Sequence, residues 1–368
     1  MSEVFFADLR AGQASQSVLT KVQRLYRKAK LGETFRPGDL VAVKTHFGEE
    51  GNTAYLRPEL VSKVVDMVIK GGGKPFLTDS STLYKGMRTN AVDHLRLAAR
   101  HGYTYPVVNA PVIIADGLKG TDYVEVPVNL KHCTTVKVGS VVQDADAIIT
   151  VSHFKGHGLT GFGGALKNVG MGLGSRRGKM EMHALVRAQV VKERCKGCGQ
   201  CLLRCPPGAI RLKGRKATVD PEKCIGCGEC NVACRYGAID LGDWNNYIAL
   251  QERIVEYCYG ILKGKEGKNG FITFVIDVSP LCDCYEFNDV PIVPDIGILA
   301  SKDIVAIDQA AADLVKAAPG MQGSMLKGDL SPGSDKLREI VDADWSAQLR
   351  YAEELGLGER SYDLIKVR

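Results

Sequence analysis

No run in the sequence approaches the ~20 consecutive apolar residues that a membrane span requires, so a chain threaded through a bilayer is not expected. The opening "MSEVFFADLRAGQ" has no charged leader ahead of a long apolar core, which argues against export and for a cytoplasmic location. Low-complexity tracts and long disordered linkers are missing too. Neither common phosphate signature is present: there is no G-x-x-x-x-G-K-[ST], and no G-x-G-x-x-G follows a strand with the expected acidic partner. No recognised nucleic-acid motif accompanies the net charge of +6, much of which lies between Arg176 and Lys216. A nucleic-acid partner is therefore not expected.

What is present is cysteine, twelve in 368 residues. A small secreted chain would use them as disulfides, but here they cluster at metal-ligand spacing in a long chain, so reduced thiolates binding metal are the better reading. Residues 195–205 read "CKGCGQCLLRC" and residues 224–234 read "CIGCGECNVAC". The pattern C-x2-C-x2-C-x3-C thus occurs twice at an offset of 29, and Gly208-Ala209-Ile210 recurs as Gly237-Ala238-Ile239. This is a duplicated unit. Three cysteines at two-residue gaps wrap one cluster, while the fourth leads to the other, so the sets cross. Cys195, Cys198, Cys201 and Cys234 are expected to hold one [4Fe–4S] cluster, and Cys224, Cys227, Cys230 and Cys205 the second. The spacing resembles bacterial ferredoxins, with Pro206 after Cys205 and Arg235 in place of a second proline. Nearby Lys and Arg would offset the negative charge of such clusters.

Around this insert, strand-like and helix-like segments alternate, which predicts an α/β fold with a largely parallel sheet. "DLVAVKTHF" (39–47), "KPFLTDSS", "ADAIITVSH" (145–153) and "FITFVIDVS" read as strands. "PELVSKVVDMVIKGGG", opened by Pro58, "RTNAVDHLRLAARHG", "YIALQERIVEYCYGIL", "DIVAIDQAAADLVKAA" and "WSAQLRYAEELG" read as helices. The expected organisation is an α/β domain over 1–187, a small α+β ferredoxin-like unit over 188–243, and a continuation of the α/β body over 244–368.

The strand ending at His153 delivers "HFKGHGLTGFGGALKNVGMG" (153–172) to the carboxyl edge of the sheet, where ligands of such folds bind. Glycine lets a backbone approach a ligand closely, so Gly161, Gly163 and Gly164 are candidates to present amides to phosphate or carboxylate oxygens. His153, His157, Lys167 and His183 add imidazoles, which act as bases or metal ligands, and an amine, which acts as an anchor. Arg57, Lys44 and His46 are candidates to pair with the same ligand. Lys302, Asp303 and Asp308 surround a strand-to-helix junction, placed to cap the helix or to line the same cleft.

Together, "VKTHFGEEGNTAYLRPELV", the glycine strip, "CDCYEFNDVPIVPDIGILASKDIVAIDQAAADLV" and the eight-cysteine insert resemble the domain of unknown function 362 family, uncharacterised iron–sulfur centre proteins, over most of the chain. More distantly, the order His, G-[FY]-x-G-G, Lys, His resembles the nickel-pincer lactate racemases. That resemblance implies a catalytic base at His157, a lysine tethering the cofactor at Lys167, a nickel ligand at His183, and a substrate- or nucleotide-binding role for Arg57.

Cys282 and Cys284, one residue apart, can share a metal, especially with His46 or Cys258 nearby, or form a redox-active pair. Cys133 and Cys258 read as core residues. The function expected is an oxidoreductase in which two [4Fe–4S] clusters relay single electrons to a substrate or cofactor in the α/β cleft. An electron-transfer or assembly partner without its own catalysis, and a racemase-like enzyme with a further metal or nucleotide cofactor, are the alternatives. Its partners are then a redox protein or a small molecule, without a membrane.

Overall fold

A computed structural model describes residues 1–83, 86–183, 188–226, 229–240 and 244–367. Eight strands form one mixed sheet: β1 (Ser2–Asp8), β2 (Leu40–Lys44), β3 (Lys74–Asp79), β4 (Val112–Ile114), β5 (Ala147–His153), β6 (Asn269–Val275), β7 (Gly297–Ser301) and β8 (Tyr362–Lys366). Their order across the sheet is β8-β1-β7-β6-β5-β2-β3-β4. All neighbours are parallel except β7, which runs antiparallel to both β1 and β6. The α/β fold with a largely parallel sheet is the observed one.

The cause is visible in β5. Every residue of "AIITVSH" is buried, because the strand has sheet neighbours on both edges and helices on both faces. Its side chains alternate between two cores. Ile149 and Val151 join Val41, Val43, Ile272 and Phe274 beneath α1 (Val18–Lys28) and α2 (Pro58–Lys70). Ile148 points the other way, into a core with α4 (Ala165–Leu173), α6 (Trp244–Leu262) and α7 (Ile304–Ala317). Helices α3 (Ala91–Arg100), α5 (Arg176–His183) and α8 (Ala347–Glu354) complete the larger set.

The chain runs outward from β2 through β3 to β4, then returns to place β5 on the other side of β2. That reversal opens a crevice beyond the carboxyl ends of β2 and β5, the position where open α/β sheets bind ligands. β2 ends at Lys44, short of the sequence reading, and His46, two residues on, lines the crevice.

The glycine strip is ordered. Lys155–His157 pairs antiparallel with Gly161–Gly163 as a short hairpin, and α4 follows. The start of α4 is capped from a distance: Asp308 in α7 accepts from Ala165 N at 2.7 Å and Leu166 N at 2.9 Å. Asp303, not Asp308, caps α7, and Lys302 reaches Glu33. A side chain at Gly164 would collide with the Asp308 carboxylate. Gly164→Ala is therefore expected to cost about 1–3 kcal/mol from overpacking, and a fall in the thermal midpoint would show it.

Between α5 and α6, two short helices, Gln200–Arg204 and Glu229–Val232, pack together beside the hairpin Ile210–Lys213/Lys216–Val219. The pair Gln189–Val190 and Ile239–Asp240 brings the two ends of this segment side by side. Among the described residues, no helix is long and apolar enough to cross a membrane.

Candidate functional site

The crevice, together with the solvent at its mouth, takes in about 590 Å³. Among the described residues, five basic side chains line it, Lys44, Arg88, Lys155, Lys167 and Lys179, against one carboxylate, Asp79. They arrive from separate elements: Lys44 from the end of β2, Asp79 from the end of β3, Lys155 from the strip hairpin, Lys167 from α4 and Lys179 from α5.

The lysines and Arg88 are held by neighbours. Lys44 Nζ donates to Asn168 Oδ1 at 2.6 Å and to Thr45 O at 3.0 Å, and lies 3.2 Å from Asp79 Oδ1. Asp79 also faces Arg88 Nη1 and His94 Nε2, each at 3.8 Å. Burial alone would raise its pKa; Lys44, His94 and Arg88 outweigh that and hold it below the usual carboxylate range. Arg88 donates through Nε to Glu49 Oε2 at 3.1 Å. Lys155 Nζ donates to His153 O and sits 3.3 Å from Asp283, whose carboxylate also meets His153 Nδ1 at 2.9 Å. Lys179 Nζ donates to Gly174 O at 2.8 Å and to Ser80 Oγ.

Crowding of like charge in a buried space makes the amines weak bases. Burial first, then Lys155 and Arg88, push Lys167 down to about 7. Burial lowers Lys179 to about 8, with Asp116 and Asp79 opposing. Burial, followed by Arg88, keeps His46 well below its ordinary value. Such a cleft is built to accept an anion.

Of the residues singled out in the sequence, Lys44, His46, Gly163, Gly164, Lys167 and His183 line the cleft. His157, Gly161 and Arg57 are not among its lining residues. The His157 ring turns back on its own loop, with Nδ1 2.9 Å from Thr160 Oγ1. Gly161, at φ 75°, lies where a side chain would strike Trp345. Arg57 is exposed at the N-cap of α2, ahead of Pro58. Lys167 and His183 thus share the cleft, and His157, though outside its lining, is near enough that after burial both of them hold its pKa well below the ordinary value; Arg57 is not among these groups.

Cys282 and Cys284 form part of the cleft wall and are bonded to one another. Lys167 Nζ is 4.0 Å from Cys282 Sγ. His46 stands beside the pair, with ligand atoms of all three within 4.8 Å of one another. Cys258 is elsewhere, buried on α6, and Cys133 is also buried. Gly48 N donates to His46 Nδ1 at 3.0 Å, and Arg88 Nη1 stands 2.8 Å from Nε2; a neutral imidazole can accept from only one of the two. A metal there would have to displace one of them.

Two smaller cavities lie in the cysteine segment. One, about 330 Å³, is lined by Cys195, Cys198, Cys201 and Cys234. The other, about 320 Å³, is lined by Cys205, Cys224 and Cys230; Cys227 lies outside the described residues. Backbone amides point at the sulfurs, from Ala209 N to Cys205 at 3.2 Å and, one repeat later, from Ala238 N to Cys234 at 3.3 Å. Amide donors aimed at cysteine sulfur suit thiolates that ligate a metal centre, so the donor sets fit the clusters expected of them.

The second cavity adjoins the cleft. The backbone of Gly226, which lines that cavity, is close enough to His183, a cleft residue, to oppose the lowering of the imidazole's pKa by burial. Arg204, beside Cys205, pairs at 2.8 Å with Glu286, two residues beyond Cys284. Glu229, buried in the same wall, is raised to about 7 by burial, with Arg204 opposing.

Sequence reasoning missed Arg88, Lys179, Asp79 and Glu49, which lie outside the glycine strip, and Lys155 within it. Lys155 could have been found: it lies between His153 and His157 in the strip already singled out.

The family model described as "Domain of unknown function (DUF362)" matches residues 41–313. The "Thylakoid-associated protein sll1697" of Synechocystis sp. is 26% identical over 174 residues, 46% of this chain and 49% of that protein. The chain thus spans about half the length of the curated relative it matches. Among solved structures, the lactate racemase apoprotein from Thermoanaerobacterium thermosaccharolyticum is similar with a TM-score of 0.40 at 12% identity, covering 75% of this chain and 51% of that one.

Proposed function

The chain belongs to the DUF362 family, and from that premise we propose that it is an iron–sulfur oxidoreductase acting on a small anionic molecule in the cationic cleft. On this reading Cys195, Cys198, Cys201 and Cys234 ligate one [4Fe–4S] cluster, and Cys205, Cys224, Cys227 and Cys230 the other. Bound clusters of this kind supply single electrons.

The observation that carries the proposal is the 2.8 Å ion pair between Arg204, beside Cys205 of the second cysteine set, and Glu286, two residues beyond Cys284 in the cleft wall. That contact makes the anion site and one cysteine set neighbours. Cys198, in the other set, is exposed, which suits a redox protein docking there in the cytoplasm. Within the cleft, Arg88, Lys155, Lys167 and Lys179 bind and orient the anion, and Asp79 and Asn168 hold Lys44 in place. Lys167, near neutrality in its proton affinity, holds or releases a proton at Nζ. A carrier without chemistry of its own would have no use for so many buried cations around one space.

Anaerobically purified protein is expected to contain about eight iron atoms per chain, and sulfate in the cleft is expected to shift the reduction potential of one cluster and leave the other unchanged. Iron near zero would sink the proposal, as would two potentials that both ignore the anion. The affinity for sulfate, whose own charge is constant above pH 5, should also depend on pH. Lys167 and Lys179 are protonated at pH 6 and neutral at pH 9. Losing these two charges is expected to weaken binding by at least about tenfold over that range, measurable by calorimetry.

A further inference from the structure

The cleft contains a reacting group that the proposal above leaves unused. We propose that the Cys282–Cys284 disulfide exchanges with a small thiol carrying an anionic group, and that this thiol, or its disulfide, is the substrate class of the cleft. The inference deepens the oxidoreductase reading by naming its substrate, but the exchange itself needs no iron.

Three observations carry it. The pair is bonded and forms part of the cleft wall, so a molecule held by the cations lies against it. The two sulfurs are placed differently: Lys167 Nζ is 4.0 Å from Cys282 Sγ. The loop carrying them is pinned to the segment after His46 by Glu49 N to Asp283 O at 2.9 Å and Asn52 Nδ2 to Phe287 O at 3.1 Å. Asp283, between the cysteines, does not repel an incoming anion, because its carboxylate is taken by His153 and Lys155.

The chemistry follows from the asymmetry. The ligand's thiolate attacks Cys284 Sγ, forming a mixed disulfide as the Cys282–Cys284 bond breaks. The electron pair leaves on Cys282 Sγ, where the Lys167 ammonium stabilises the thiolate; a better-stabilised leaving thiolate departs faster. A second ligand thiol attacks the mixed disulfide, releasing the ligand's disulfide and Cys284 as a thiol. The net reaction is two thiols plus the protein disulfide giving one ligand disulfide plus two protein thiols, with two electrons and two protons moved. Run in reverse, it reduces an anionic disulfide. The same cations favour the reduced pair, since thiolates next to Lys or Arg are stabilised. A metal on His46, Cys282 and Cys284 is the competing use of these atoms; it would have to displace Gly48 N from Nδ1 or the Arg88 guanidinium beside Nε2, and the surroundings are cationic.

The test uses the full anaerobic chain with 3-mercaptopropionate and 2-mercaptoethanol at matched thiolate concentration. Samples are quenched into denaturant with N-ethylmaleimide and mapped by peptide mass. The anionic thiol is expected to open the pair at least about tenfold faster, with the transient adduct on Cys284. Lys167→Gln should slow both reactions and shrink the preference, while inorganic sulfate should compete with the anionic thiol alone. Equal rates for the two thiols, an adduct on Cys282, or a metal retained by the pair would each overturn the inference. Iron content, read on the same sample, separates the failures: exchange without iron sinks the oxidoreductase proposal, and iron without exchange sinks this one.

Discussion

Cys205→Ser is expected to remove the same iron as Cys230→Ser, although Cys205 closes the first cysteine repeat and Cys230 lies in the second. Either change should lower the iron content from about eight atoms to about four. The basis is the cavity that Cys205, Cys224 and Cys230 line together, while Cys234 of the second repeat lines the cavity of Cys195, Cys198 and Cys201. Double variants decide the matter. Cys205→Ser with Cys230→Ser should lose no more than either alone, whereas Cys205→Ser with Cys195→Ser should leave almost none. A chain in which each repeat fills its own cluster would give the opposite pairing. Because the cavity next to the cleft is the one emptied by Cys205→Ser, electron delivery to the cleft should also be lost in that variant.

Asp79→Asn should be the most damaging single change in the cleft. Asp79 is buried and faces Lys44 at 3.2 Å and Arg88 and His94 at 3.8 Å. Removing one partner from a buried charge network costs about 3–5 kcal/mol, because the charges left behind stay desolvated and unpaired. Among the described residues, the cleft wall would then hold five basic side chains and no carboxylate. An anion in the cleft should restore part of what is lost: at a hundred times its dissociation constant a ligand adds about 2.7 kcal/mol. Sulfate should therefore raise the thermal midpoint of Asp79→Asn more than that of the parent. A variant as stable as the parent, or indifferent to sulfate, would mean that the cations are compensated in another way.

The parts of the fold that could be read from the sequence are those with a strong period. β5 is a continuous buried run, and α2 carries Pro58 at its start and glycines after its end. β1, β4 and β8 went unread. β4 has three residues, and β8 is partly exposed because it is the outer strand of the sheet. Their identity as strands depends on a neighbour that local sequence does not specify.

The site divides in the same way. Lys167 and His183 were legible because the strip is one segment and its spacing resembles a known pattern. Asp79, Arg88 and Lys179 were not, since only the reversal of strand order beside β2 brings three unrelated segments to one crevice. His157 adds what spacing alone does not specify: its Nδ1 is held by its own loop at Thr160, while Lys167 and His183 stand close enough to add to burial in lowering its pKa. The proximity of His46 to the cysteine pair was anticipated as a condition; which of His46 and Cys258 would meet it depended on where α6 packs.

The clamp between Asp308 and the start of α4 spans the cysteine segment, and so does the pairing of β6 with β5. During synthesis the cysteines therefore leave the ribosome while the sheet still lacks the strand beside β5. Glu286, which later pairs with Arg204, has not yet been made. Every described residue lining the cavity of Cys205, Cys224 and Cys230 lies between 188 and 230, so that cavity can form on the nascent chain before the second half docks.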